Sequence, residues 1–123
     1  MFLIHKSVPV VEYAVDLGFE PLGLMVQVGD GRSPECLYWV DRKNPRSSFH
    51  LCLGFNYPNE QDIAYAEAMG VDPGGDSFIH GRPNGEYDAK DPDWTAGCIA
   101  VTNREIEEVF VSVPVGTPVT IRA

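Results

Sequence analysis

Trp94-Thr95-Ala96-Gly97-Cys98-Ile99-Ala100 decides how this chain is read, taken together with Phe78-Ile79-His80-Gly81 upstream of it. Phe78-Ile79-His80 reads as a short buried strand that delivers a histidine. Cys98 reads as a nucleophile and His80 as its base. A cysteine attacks as the thiolate, and a free thiol with a pKa of about 8.5 is only slightly ionised at neutral pH. An imidazole beside it takes the proton or pairs with the anion. Gly97 clears one side chain from the approach to the sulfur and tolerates backbone angles that other residues resist. The consecutive amides of Gly97 and Cys98 can then face a developing oxyanion. Each residue also has a plainer reading. A cysteine in an apolar run is commonly a small buried hydrophobe, and a histidine before a glycine is commonly a satisfied turn or core residue. Spacing alone does not separate the two readings, because such local signatures do not transfer between families.

The wider string does separate them. Ser77-Phe78-Ile79-His80-Gly81 and Thr95-Ala96-Gly97-Cys98-Ile99-Ala100-Val101 together resemble the YkuD-like L,D-transpeptidase catalytic domain, which carries a His-Gly pair followed by a Ser/Thr-x-Gly-Cys motif. Gly29-Asp30-Gly31-Arg32-Ser33-Pro34-Glu35 resembles the family's Gly-Asp-x-x-Thr-Pro-Glu-Gly stretch, with Cys36 where the last glycine usually stands. Ser48-Phe49-His50-Leu51 and Asn56-Tyr57-Pro58-Asn59 resemble a branch often called YafK-like, and Val115-Gly116-Thr117-Pro118-Val119-Thr120-Ile121 is similar to the closing strand. The resemblance covers nearly the whole chain. Two departures bear on chemistry: Ala96 replaces a histidine that many members carry before the glycine, and Ala100 replaces an arginine. Both leave fewer cationic groups around the sulfur, and both leave transfer and hydrolysis open.

The resemblance implies a mainly β fold: a single L,D-transpeptidase-like β-sandwich or barrel domain over residues 1–123, with two short helices. It implies acyl transfer on diaminopimelate-containing peptidoglycan stem peptides through a thioester on Cys98. The carbonyl of Gly81 would orient the His80 imidazole. Gly97 and Ala96 would belong to the oxyanion region, and Thr95, Trp94 and Arg82 would line the substrate cleft. A turn hydroxyl and a core aromatic are the plainer readings of Thr95 and Trp94. The implied partners are peptidoglycan stem peptides and, in the YafK-like branch, a wall-linked lipoprotein. Action on cell wall implies the periplasm or cell envelope.

Composition sets the outer bounds. The chain has 123 residues, 44% hydrophobic, with 12 Gly and 10 Pro. That size suits one packed domain, and the balance favours short strands and turns over a helical bundle. The formal net charge is −9, which repels nucleic acid and anionic membrane surfaces. The acidity serves solubility, or it attracts substrates bearing free amines. It also opposes a thiolate at Cys98, so compensation is expected from His80, Arg82, Arg104 or a helix N-terminus. Of the three cysteines, Cys36 and Cys52 either pair in an oxidising compartment or stay reduced. No His/Cys cluster has zinc-ligand spacing, so neither a metal site nor a cofactor is expected. No stretch is long enough to span a membrane, and His5 and Lys6 interrupt the start too early for a signal peptide.

Along the chain, residues 2–6 and 10–16 read as a hairpin around Ser7-Val8-Pro9, forming the first part of the sheet. Residues 24–28 read as a third strand, and Gly29-Asp30-Gly31 as a turn. Residues 36–41 alternate, with Leu37 and Trp39 on one face and Cys36, Tyr38 and Val40 on the other. Residues 42–47 read as a polar loop and 49–53 as a strand. Asn59 is expected to cap a helix over 60–69 that stops at Gly70. Residues 82–93 read as a loop flanking the site. Thr102-Asn103-Arg104-Glu105 has capping-box spacing, and Ile106, Val109 and Phe110 share one helical face. A strand over 118–122 closes the chain. Two other readings stand beside transfer: a hydrolase using the same residues, and a non-catalytic wall-binding domain. NlpC/P60-type peptidases order cysteine before histidine, the reverse of this chain.

Overall fold

The alternation at the start of the third strand is where local pattern meets the core. Tyr38 and Val40 are fully buried, while Leu37 and Trp39 are 58% and 53% exposed. The computed structural model describes residues 1–18, 27, 29, 31–32, 36–75, 77–83 and 97–121. The elements are β1 (Phe2–His5), β2 (Val8–Glu12), β3 (Cys36–Ser47), β4 (His50–Phe55), α1 (Glu60–Met69), β5 (Phe78–His80), β6 (Ile99–Ala100), α2 (Asn103–Ser112) and β7 (Pro118–Ile121). The fold is mainly β with two helices among the described residues. Five strands form one sheet in the order β6-β5-β4-β3-β7. Its neighbours are antiparallel except β5 and β6, which run parallel.

One face of this sheet carries the core. Val40 pairs with Phe55, Leu53 with Ile79, and Ile79 with Ile99, so these side chains project together. Tyr38 packs against Phe55 and Tyr57 at ring-centroid distances of 5.5 Å and 6.0 Å. Helix α2 covers the same cluster with Ile106 and Val109. It begins where its capping box requires: Thr102 Oγ1 accepts the Glu105 N–H, and the Glu105 carboxylate accepts the Thr102 N–H. Helix α1 has the equivalent box in Asn59 and Asp62, and Asp62 also accepts from the Tyr38 hydroxyl, which ties this helix to β3.

Three expectations are corrected. The first hairpin is a separate two-stranded sheet rather than part of the main one. Its turn is Lys6-Ser7, both at positive φ (49° and 65°), the two-residue geometry that matches strand twist. Pro9 lies inside β2, next to a register shift where its missing N–H is tolerated. Residues 42–47 are not a loop. They extend β3 to Ser47, and Pro45 falls where the register shifts between Asn44 and Ser47. The strand read over 49–53 runs instead from His50 to Phe55, with the turn at Ser48-Phe49. Apart from Gln27, the strand read over 24–28 lies outside the described residues, as do Trp94, Thr95, Ala96 and most of the 82–93 loop.

Candidate active site

The short strand β5 ends on His80, whose side chain is only 3% exposed. Its Nδ1 lies 2.7 Å from the Gly81 carbonyl oxygen. A carbonyl only accepts, so Nδ1 carries the proton, and Nε2 of the neutral ring is left as the basic nitrogen. The Phe49 ring lies 4.6 Å from the imidazole, centroid to centroid. Burial pulls the His80 pKa below its ordinary value of 6.5. The bond to Gly81 opposes that shift, and the Arg82 charge adds to it. At neutral pH the ring is therefore uncharged and able to take a proton.

Cys98 immediately precedes β6. Ile79 pairs with Ile99 and His80 with Ala100 in parallel register. Continuing that register one step back sets Cys98 beside Phe78. Alternation then puts Cys98 on the same sheet face as Ala100 and His80, opposite the core face. Strand spacing and two residues of rise give a Cα diagonal of about 8 Å, a span that side chains on diagonal positions can close. Cys98 is in no disulfide and is of intermediate burial. Gly97, before it, sits at φ 124°, a region side chains rarely adopt.

A second segment holds β6 from its other edge. The Asp16 N–H donates to the Ala100 carbonyl at 2.9 Å, and the Ala100 N–H donates to the Asp16 carbonyl at 2.8 Å. The Asp16 carboxylate in turn accepts from Arg82 Nη1 at 2.8 Å. Asp16 thus bridges the strand after Cys98 and the residue after Gly81. Two residues on, Gly18 packs so closely that a Cβ there would sit 1.9 Å from the Gly31 carbonyl oxygen and 3.0 Å from the Gly97 Cα. Both obstacles are backbone. Gly18→Ala is expected to destabilise the fold by about 1–3 kcal/mol or more through overpacking. It should also displace Gly97, which thermal melting and Cys98 alkylation rates would register together.

Model matching finds the L,D-transpeptidase catalytic domain, YkuD, over residues 1–121. The chain belongs to that family. The solved structure of the helical cell shape determining protein Pgp2 from Campylobacter jejuni shares 27% identity at a TM-score of 0.68, covering 89% of this chain and 39% of that one. Its K307A mutant gives 28% and 0.68, covering 89% of this chain and 38% of that one. Bd1075 from Bdellovibrio bacteriovorus, at 21% identity and a TM-score of 0.63, covers 93% of this chain and 39% of that one, and shows the fold alone. The chain thus spans under half the length of these proteins. No curated protein sequence matches it.

Within this YkuD domain, His80, Gly81, Gly97 and Cys98 come together around β5 and β6. Arg82 is nearby, but its charge is matched by Asp16, so it is a bridge more than a spare cation for the sulfur. It also lines a shallow cleft of about 110 Å³ with Ala14, Val15, Asp16, Ala100, Val101, Thr102 and Glu105. Neither His80 nor Cys98 is among its lining residues. The start of α2 holds the Glu105 carboxylate on the Thr102 N–H, which offsets the helix's positive end. Cys52 pairs with His80 across β4 and β5, but it is only 5% exposed and is a free thiol. Cys36 pairs with Ile121, whereas Cys52 pairs with Asn44, at the other end of β3. That separation is roughly 20–26 Å along the strand, far beyond disulfide reach. Among the described residues no group of three or more His, Cys, Asp or Glu could hold a metal, and no helix is long and apolar enough to cross a membrane.

Sequence reading missed Asp16 and Gly18, and it took Asn103 only as a place in a capping box. Nothing local marks Asp16 or Gly18. Their roles come from the long-range approach of residues 16–18 to β6 and Gly97.

Proposed function

We propose that the chain is the catalytic domain of a peptidoglycan L,D-transpeptidase acting at the cell envelope, on the periplasmic side. The observation that carries this reading is the pairing of β5 with β6. It brings a buried, Nδ1-protonated His80 and an accessible Cys98 onto one face of the sheet. His80 Nε2 takes the thiol proton. The sulfur attacks the carbonyl of a diaminopimelate–D-alanine bond in a stem peptide, and the negative charge moves to the carbonyl oxygen. Amides at Gly97 and Cys98 donate to that oxygen, each good donor contributing about 3–4 kcal/mol. The carbon–nitrogen bond breaks, D-alanine leaves with the proton from His80, and a thioester remains. An amine of a second stem attacks the thioester, and Cys98 leaves as the thiol. The likeness to a helical cell shape determining protein supports a role in shaping the wall.

Hydrolysis is the second reading, with water resolving the same thioester. Ala96 and Ala100, where many members carry histidine and arginine, leave fewer cationic groups around the sulfur and keep this reading open beside transfer. It would release peptides or a wall-linked lipoprotein. Incubating the protein with stem peptides, with and without an acceptor amine, separates the two. Exchanged or cross-linked product marks transfer, and free acid alone marks hydrolysis. Absence of both, with no covalent carbapenem adduct in intact mass spectra, would leave a non-catalytic wall-binding domain.

The lowered His80 pKa sets the acid limit of turnover. A base must be neutral to act, and here neutrality persists below the ordinary histidine value. The acid limb of kcat/KM is expected to have its midpoint below 6.5. A midpoint at or above that value in a pH-rate series would contradict the assignment of His80 as base.

A further inference from the structure

The Gly81–Arg82 peptide group touches both sides of the sheet. Its carbonyl accepts from His80 Nδ1 at 2.7 Å. Its N–H, on Arg82, donates to Asn103 Oδ1 at 2.8 Å. In a trans peptide these two groups point in opposite directions, so the atom that anchors one end aims the other. Asn103 is the first residue of α2, on the core side of the sheet, and its Oδ1 sits where a Cβ on Gly81 would come within 2.6 Å. Phe49 O and Ile106 Cγ2 close the remaining space at 2.9 Å and 3.0 Å. The Gly81 N–H is held by the Phe49 carbonyl at 3.0 Å. The peptide is thus clamped from the helix, and glycine is needed for the helix to come this near.

We infer that Asn103 is a positioning residue for His80, acting through the Gly81–Arg82 peptide: Asn103 Oδ1, the Arg82 N–H, the Gly81 carbonyl and the imidazole Nδ1–H form one hydrogen-bonded relay. The inference rests on the dyad reading above and goes beyond it. Hydrogen bonds in series polarise one another. An acceptor on the N–H makes the carbonyl a better acceptor, and that carbonyl makes the imidazole a better proton acceptor at Nε2. The same relay fixes the ring's tautomer and tilt. Among the described residues, the titratable or charged groups that the register and contacts set near His80 are Cys52 from β4, Cys98 ahead of β6, and Arg82 with its Asp16 partner; Glu105 lies further along α2. None of them is changed by substitution at position 103. The capping box uses Thr102 and Glu105, so Asn103 can be replaced without uncapping the helix.

The test uses iodoacetamide on the intact chain, with peptide mapping to isolate the Cys98 adduct. The quantity read is the alkylation rate at neutral pH divided by the limiting rate at alkaline pH. This ratio reports the thiolate fraction and cancels access to the sulfur. Asn103→Ala is expected to lower it about three- to tenfold, the effect of losing one hydrogen bond. Asn103→Asp keeps an acceptor oxygen in place and is expected to restore the ratio. His80→Asn should lower it at least as far as Asn103→Ala. A ratio unchanged in Asn103→Ala but lowered in His80→Asn would overturn the relay and leave the dyad standing. Failure of Asn103→Asp to restore it, with melting temperature preserved, would also overturn the relay. A ratio unchanged in His80→Asn would bring down the dyad and the relay together.

Discussion

Cys98→Ala is expected to abolish turnover of stem peptides, a fall on the order of 10⁵- to 10⁶-fold, because without the sulfur no thioester can form. No other described cysteine is placed to substitute. Cys52 stands beside His80 in the register but is buried, and the Cys36 backbone lies at the far end of β3. The change should leave the fold nearly untouched, since a thiol of intermediate burial contributes at most about 1 kcal/mol on replacement by a methyl. Two measurements check this: product formation from stem peptides, and intact mass after carbapenem treatment, where the wild type gains an adduct and the variant does not. Retained turnover in Cys98→Ala would overturn the assignment of the nucleophile. Cys52→Ser should keep its activity.

The second large effect is at His80. His80→Ala removes the base but also empties a buried position, strips Phe49 of its ring partner and leaves the Gly81 carbonyl without its donor. A loss of about 2–4 kcal/mol of stability would follow from cavity and unsatisfied acceptor together. His80→Asn separates the two roles. Its amide nitrogen stands near the place of Nδ1 and can still donate to Gly81, yet it offers no basic nitrogen. This variant is expected to fold, with a modestly lower melting temperature, and to lose about 10²- to 10⁴-fold in kcat/KM. If it turns over substrate like the wild type, the imidazole is not the base.

The motifs were legible because they are local. His-Gly and Gly-Cys stand in short runs that, taken together, carry the resemblance to the family. Both helices were legible for the same reason: Asn59 with Asp62, and Thr102 with Glu105, satisfy helix ends using residues three apart. The alternation in β3 was also readable, since burial of Tyr38 and Val40 follows a period of two. The reading failed where long-range pairing overrides local preference. Residues 42–47 look like a loop because of Asn44 and Pro45, but pairing with β4 keeps them in the ladder and confines the proline to an irregular step. Pro9 misled in the same way, since the turn sits ahead of it.

By itself the sequence determined the family and the caps, and it singled out Cys98 and His80 for the proposed chemistry, because each is written in a few neighbouring positions. Tertiary structure alone decided which histidine nitrogen carries the proton, that Arg82 is bound to Asp16, and that Asn103 holds the peptide that follows β5. Those facts depend on segments distant in sequence being brought to within hydrogen-bond distance. A hydrogen bond is made or lost over less than an ångström, a distance that residue order does not encode.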